Sequence, residues 1–186
     1  MAVQRSPKPL MRVRFLSPLP KRFENVDIAS AFFIFLFVTP KNIYKILSMK
    51  HEKSCGIIPI YFDKEETKVV LIKSNHGVVG FPKGHVEKGE REMETALREC
   101  NEEIGAKPNV LKGFKEKISY YISEYGIRKT VVFFIGILDD LSFQIQESEV
   151  SEILVLNIEE AYKAIPFKDT RVLLKKAENF LAKRGS

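Results

Sequence analysis

Cysteine is scarce in this chain of 186 residues, with Cys55 and Cys100 the only two. Two thiols cannot build a disulfide framework, and neither sits in a spacing such as CxxC that marks a zinc site. Both classes are excluded, and a reducing, cytoplasmic setting is implied. Long apolar runs are missing as well. The run Ile28 to Val38 has eleven residues, whereas a membrane-spanning helix needs about 20. As a secretion signal the same run would follow an overlong basic leader and lack a small-x-small cleavage site, so neither role is expected of it. No internal repeat or low-complexity tract is present.

Glycine is absent from the first 48 residues. All ten glycines follow Met49, while five of the nine prolines precede it. Residues 1–48 carry eight Lys or Arg against Glu24 and Asp27, which accounts for the whole formal charge of +6; the 22 basic and 22 acidic residues that follow cancel. A net charge of this sign ordinarily points to nucleic acid or membrane, but here it belongs to one end of the chain. The change of composition places a boundary near residue 49, between an atypical basic and hydrophobic extension (1–48) and a principal domain (49–186). Within the extension, residues 5–22 are basic and broken by proline, which predicts extended or disordered chain, and Ile28 to Leu47 could form a short helix or strand. Three origins compete: a membrane-surface or nucleic-acid-binding arm, an inert tail, or a start codon assigned too far upstream. The last is preferred, because Val13-Arg14-Phe15 back-translates to the T-arm sequence of transfer RNA genes and Met49-Lys50 offers a start directly before the first clean strand. Detection of a peptide covering residues 1–20 in the native protein would overturn it.

From Met49 onward the pattern alternates. Cys55 to Phe62 and Val69 to Ile72 are rich in β-branched residues and flank the charged turn Asp63 to Lys68, which predicts a hairpin. Gly77 to Gly89 reads as loop. Glu90 to Ile104 carries apolar or small residues at Met93, Ala96, Leu97, Cys100 and Ile104, a helical spacing, with Gly105 placed as its C-cap. Further strands are predicted at Val110 to Lys115, Ile118 to Ile122, Thr130 to Leu138 and Ile153 to Leu156, followed by helices at Ile158 to Ile165 and Asp169 to Lys183. Strands with one inserted helix and a terminal helix make an α+β fold.

The inserted helix is acidic. Glu99 lies three and four residues before Glu102 and Glu103, so the three carboxylates share one face about one turn apart. Their repulsion is unfavourable unless positive charge sits among them, and a hard divalent cation such as Mg²⁺ takes oxygen ligands of this kind, usually sharing them with phosphates and water. Alone, an ExxEE cluster is more often a solvated helix face.

The surrounding spacing removes that reading. Gly84, Glu90, Arg98, Glu99, Cys100, Glu102, Glu103, Gly105 and Ala106 fit the pattern G-x5-E-x7-R-E-U-x-E-E-x-G-U. At residue frequencies of about 7%, the seven strictly specified positions coincide by chance on the order of 10⁻⁸ of the time. On this motif, residues 54–183 resemble the Nudix hydrolase family. Cys100 and Ala106 depart from it, being small where a bulky aliphatic is usual, which bears on packing and not on metal ligation. Cys100 has no evident partner base and reads as a buried structural thiol. The resemblance implies an α/β/α sandwich around a mixed sheet, with the box forming loop, helix, loop. It further implies that Glu99, Glu102 and Glu103 ligate Mg²⁺, or Mn²⁺ in its place, together with the Gly84 carbonyl. Arg98 would orient the carboxylates and Glu90 would brace the loop. Metal ions neutralise an anionic pyrophosphate and activate a bound water. A glutamate must also accept the proton. Glu103 is named first for this, and Glu149 second, since relatives often place a carboxylate just before the corresponding strand; on spacing alone Glu149 reads equally well as a solvated loop residue.

The stretch Gly80 to Glu90 (GFPKGHVEKGE) resembles the FPKGHVE-x-GE loop of asymmetrical diadenosine tetraphosphate hydrolases, a branch of the same family. The likeness continues in Glu94 to Glu99, in Lys129-Thr130-Val131 and in Ile158 to Ala161. It implies cleavage of a dinucleoside tetraphosphate into a nucleoside triphosphate and a monophosphate. Lys83, beside the metal loop, would meet a phosphate as a point charge. His85 would orient phosphate or satisfy a loop carbonyl. Tyr120 and Tyr121 alternate between faces of a strand, and Tyr120 is preferred as the partner that stacks on a base. Lys129 could reach a distal phosphate, ordinary strand packing being the alternative for it and for Tyr120. Capped RNA ends, diphosphoinositol polyphosphates and nucleotide sugars share the box as substrates; the neutral catalytic segment argues against RNA. A noncatalytic nucleotide-sensing module would be expected to have lost a ligand or the box arginine, and none is lost. The expected partner is a small nucleotide, with no nucleic acid and no membrane unless the extension exists in the cell; monomer and dimer are both open.

Overall fold

The computed structural model describes residues 50–64 and 66–184, all within the unit Ser48–Ser186. The expectations for residues 1–48 lie outside the described residues. Strand β1 (Lys50–Phe62) is the spine. Ser54 to Ile60 are buried without alternation, the mark of a strand covered on both faces. Strand β2 (Thr67–Ser74) returns antiparallel, with Ile60 opposite Val69. Strand β3 (Val79–Gly80) pairs with β2, and β4 (Lys83–His85) pairs with the first half of β1. Helix α1 (Glu92–Ile104), β5 (Asn109–Val110), β6 (Glu116–Ile122), β7 (Ile127–Ile137), β8 (Val150–Asn157), α2 (Ile158–Ala164) and α3 (Lys168–Ala182) complete the order. β7 runs parallel to β1 from Lys50 opposite Ile127 to Ile60 opposite Ile137, whereas β6 and β8 add antiparallel to β7 and β2. The sheet is therefore mixed.

Period-2 alternation sorts each central strand onto two cores. Ile58, Ile60, Val69, Leu71, Val131, Phe133 and Ile135 face α2 and α3, which contribute Ala161, Leu173, Leu174 and Ala177, with Ile165 just past the end of α2. Ile57, Val70, Ile72, Val132 and Phe134 face the other way, onto Ala96, Cys100 and Ile104 of α1. This is an α/β/α sandwich, as the resemblance implied. Both cysteines are free and buried, and burial pushes the Cys55 thiol up to about 11 and that of Cys100 up to about 12. Among the described residues no helix is long and apolar enough to cross a membrane.

The structure corrects the sequence reading at four places. The predicted loop Gly77 to Gly89 contains β3 and β4, short Gly- and Pro-flanked pieces whose pairing is imposed by their neighbours. Helix α1 begins at Glu92, with Arg91 extended as its N-cap, because the Glu90 carboxylate is occupied across the helix start. Met93 is exposed; the buried stripe is Thr95, Ala96, Glu99, Cys100, Glu103 and Ile104. The strand expected over Val110 to Lys115 stops at Val110, and the chain turns to send Phe114 into the core.

Candidate active site

Helix α1 is anchored at both ends. The Arg91 N–H donates to Glu94 Oε2 at 2.9 Å, and Gly105, at φ 71°, caps the C-terminus with its N–H on the Asn101 carbonyl at 2.9 Å. The helix thereby presents two buried carboxylates to β4, Glu99 at 9% and Glu103 at 5% exposure. Such burial is costly unless a partner is supplied. The Lys83 N–H of β4 donates to Glu103 Oε2 at 2.7 Å. Burial raises the Glu103 carboxyl to about 7; Lys83 opposes this, and the charges of Glu99 and Glu149 add to it. Burial also raises Glu99, against the pull of Arg98.

Arg98 organises the acidic groups through its planar fork. Nε donates to Glu90 Oε1 at 2.7 Å, Nη1 to Glu99 Oε1 at 2.9 Å and Glu102 Oε2 at 2.8 Å, and Nη2 to Glu90 Oε2 at 3.1 Å and the His85 carbonyl at 2.9 Å. Glu90 also accepts from Thr95 Oγ1 at 2.7 Å and the Glu87 N–H at 3.2 Å, and the Arg98 guanidinium holds its carboxyl down to about 2. The three helix carboxylates lie on one side of α1 and are spread across it, Glu99 and Glu102 both reaching Arg98 Nη1. Glu102 and Glu103 are one residue apart, about 100° around the axis. Glu102 is accordingly 46% exposed at the margin, while Glu99 and Glu103 turn inward.

Glu99, Glu103, Glu149 and the Gly84 carbonyl are hard oxygen donors of the kind Mg²⁺ takes. Gly84 abuts Glu99 so closely that a Cβ there would lie 2.0 Å from its carboxyl carbon. Only a glycine leaves the carboxylate room beside the β4 backbone. The bonds from Ile57 N to Pro82 O (3.1 Å) and Val86 N to Lys53 O (3.2 Å) put the intervening Cys55 and Gly84 pair in the hydrogen-bonded class, which leaves the Gly84 carbonyl its second lone pair. Among the described residues no three His, Cys, Asp or Glu side chains are gathered as a metal cluster. Arg98 instead draws Glu99 and Glu102 into ion pairs. The donors fit a hard cation in kind, as oxygen ligands, without forming a closed cage.

Gly84, Glu103 and Glu149 border a cleft of about 460 Å³ that is also lined by Lys83, His85, Lys129, Asn75 and His76. Lys129 is half-buried; desolvation lowers its pKa and the nearby Lys83 charge lowers it further. Two ammonium groups held this way favour an anion between them. His85 Nε2 lies 3.2 Å from Glu52 Oε2. A second pocket, about 320 Å³ and mainly apolar, shares Val78, Gly80, Phe81 and Lys83 with the cleft and adds Ile118, Tyr120, Phe133 and Phe167. Tyr120 stands opposite Lys129 in the ladder and lines this pocket; Tyr121 does not line it. Sequence reasoning missed Phe167, Glu52, Asn75 and His76. None of the four sits in a local spacing that marks it; Phe167 is a large apolar residue left 56% exposed just before α3.

The comparisons with known proteins agree with this fold. The family model described as NUDIX domain matches residues 50–176. The chain is 28% identical to the asymmetrical bis(5'-nucleosyl)-tetraphosphatase of Mus musculus over 141 residues, 69% of this chain and 95% of that protein, and 29% identical to that of Sus scrofa over the same shares. Among solved structures, a C. elegans Ap4A hydrolase binary complex superposes with a TM-score of 0.66 at 24% identity, covering 71% of this chain and 98% of that one. The NUDIX domain of Shewanella oneidensis NrtR, complexed with ADP ribose, superposes with a TM-score of 0.59 at 17% identity, covering 81% and 97%. A family match across most of the sequence, together with a box whose arginine Arg98 is bonded to Glu90, Glu99 and Glu102, means that the chain belongs to the Nudix family, as one of its pyrophosphohydrolases.

Proposed function

We propose that this protein cleaves a dinucleoside polyphosphate asymmetrically, converting diadenosine tetraphosphate to ATP and AMP with the help of Mg²⁺. The observation that carries the reading is the joining of two pockets through Lys83: one holds the buried Glu103 carboxylate, the exposed Glu149 and two ammonium groups, the other a wall of aromatic and aliphatic side chains. The first suits a polyphosphate and the second the flat face of a base. The named relatives act on a substrate of that description, which supports the assignment.

Glu99 and Glu103, with Glu149 across the cleft and the Gly84 carbonyl, would hold the metal, and Glu102 would assist from the rim through Arg98. A bound divalent ion neutralises phosphate charge and makes its water a stronger nucleophile. The chain's own groups do the rest. Lys83 and Lys129 bind and orient the phosphates, His85 steadies them from β4, and Tyr120 stacks on one base. Glu103 accepts the proton of the attacking water, with Glu149 the second candidate, since both carboxylates border the same cleft. Arg98 and Glu90 fix the carboxylates and the loop and touch no substrate.

Incubation with Mg²⁺ and a panel of dinucleoside polyphosphates and nucleotide sugars in ¹⁸O-water, with products read by mass, tests the proposal. ATP and AMP are expected from diadenosine tetraphosphate as the preferred substrate. Preferential cleavage of ADP-ribose would reassign the substrate while keeping the chemistry.

A further inference from the structure

Glu149 lines the cleft from the segment before β8, and among the described residues no hydrogen bond to its carboxylate is found, so the backbone alone fixes the point from which that side chain reaches the cleft. Asn75, on the turn between β2 and β3, holds that backbone twice. Its N–H donates to the Glu149 carbonyl at 3.0 Å, and its Nδ2 donates to the Glu147 carbonyl at 3.0 Å. The other side of the segment is tied to the end of α1: Gln144 N donates to the Ile104 carbonyl at 3.0 Å and Gln146 N to the Glu103 carbonyl at 3.3 Å. Those are carbonyls that a helix C-terminus leaves open. The segment is thus a bridge from α1 to the β2–β3 turn. Cutting either support frees the carboxylate to move away from Glu99 and Glu103.

We propose that Asn75 is a positioning residue that fixes the Glu147–Glu149 backbone, so that the Glu149 carboxylate stands with Glu103 in the cleft. This rests on the reading above that Glu149 takes part in the reaction. The same turn carries His76 and Val78, which line the cleft, so substrate contact and carboxylate placement share one support.

The test uses the full chain with Mn²⁺ alone, its binding followed by the EPR signal of the free ion, beside steady-state hydrolysis of diadenosine tetraphosphate. Asn75→Ala is expected to weaken Mn²⁺ binding and to lower kcat, each by about tenfold. KM should stay within about twofold and the melting temperature close to wild type. Asn75→Gln, which keeps a donor, should recover part of both losses. In a Glu149→Gln background Asn75→Ala should add nothing, because residues acting as one unit are not additive. Ser151→Ala, which removes only bonds to the Lys73 and Ser74 carbonyls at 3.0 and 3.2 Å, should leave both readouts unchanged. If Glu149→Gln is impaired while Asn75→Ala is not, if the two losses multiply, or if Ser151→Ala is impaired equally, the positioning role is wrong. If Glu149→Gln itself is unimpaired, the reading of Glu149 fails and the role of Asn75 falls with it.

Discussion

A single methyl group at Gly84 would meet the Glu99 carboxylate at 2.0 Å, so this residue tests how tightly β4 and α1 are fitted. Gly84→Ala is expected to displace Glu99, to reduce activity by about a hundredfold or more, and to cost about 1–3 kcal/mol of stability; kinetics and thermal melts would measure both. Arg98 is equally particular. Lysine keeps the charge but not the fork that reaches Glu90, Glu99, Glu102 and the His85 carbonyl together, so Arg98→Lys should lose activity by about tenfold or more. Glu90 gives a pH signature. Its carboxyl is held below the ordinary value by Arg98, so its contribution to stability is full above the unfolded-state pKa and is lost as pH falls toward about 2. Glu90→Gln should therefore flatten the fall in melting temperature between roughly pH 5 and 2. Equal slopes for variant and wild type would contradict this. At this scale the charged residues were legible because their spacing is fixed within one helix and the loop before it. Asn75, Glu52 and Phe167 were not, since each reaches the site through a contact between distant segments that no local spacing records.

Among the elements, α1 was legible from its helical spacing and the strands β1, β2 and β7 from runs rich in β-branched and apolar residues, which are buried continuously because the sheet is covered on both faces. β3 and β4 were hidden. Val79-Gly80 and Lys83-Gly84-His85 are too short and too poor in apolar residues to signal a strand, and they pair only because β2 and β1 offer edges. It is this hidden element that supplies the Lys83 N–H to Glu103 and the backbone beside Glu99. On the opposite face α3 closes the core through Leu173 and Leu174, both essentially without exposure. Leu174→Ala should cost about 2–5 kcal/mol while sparing kcat at temperatures where the variant stays folded, since α1 and its carboxylates lie on the other core. A loss of kcat without a loss of stability would show that α3 serves the reaction directly.

At the scale of the whole molecule, all +6 of the formal charge falls in residues 1–48, while the family match begins at residue 50. A chain beginning at Met49 is expected to retain activity and to lose any salt-dependent adhesion to anionic surfaces. The fold class, the box and the class of reaction could be read from the sequence, since they rest on composition and fixed spacing. The two joined pockets could not, because residues from five strands, two helices and four connecting segments meet there. The proposed reaction rests on the buried carboxylates of α1 that face β4, with Glu103 assigned to accept a proton. The most direct measurement compares the Mg²⁺-supported hydrolysis of diadenosine tetraphosphate by the wild type and by Glu103→Gln, with a thermal melt of each. The account predicts a loss of about 10² to 10⁴ in kcat for a variant that remains folded. A folded Glu103→Gln turning over within a few-fold of wild type would contradict it.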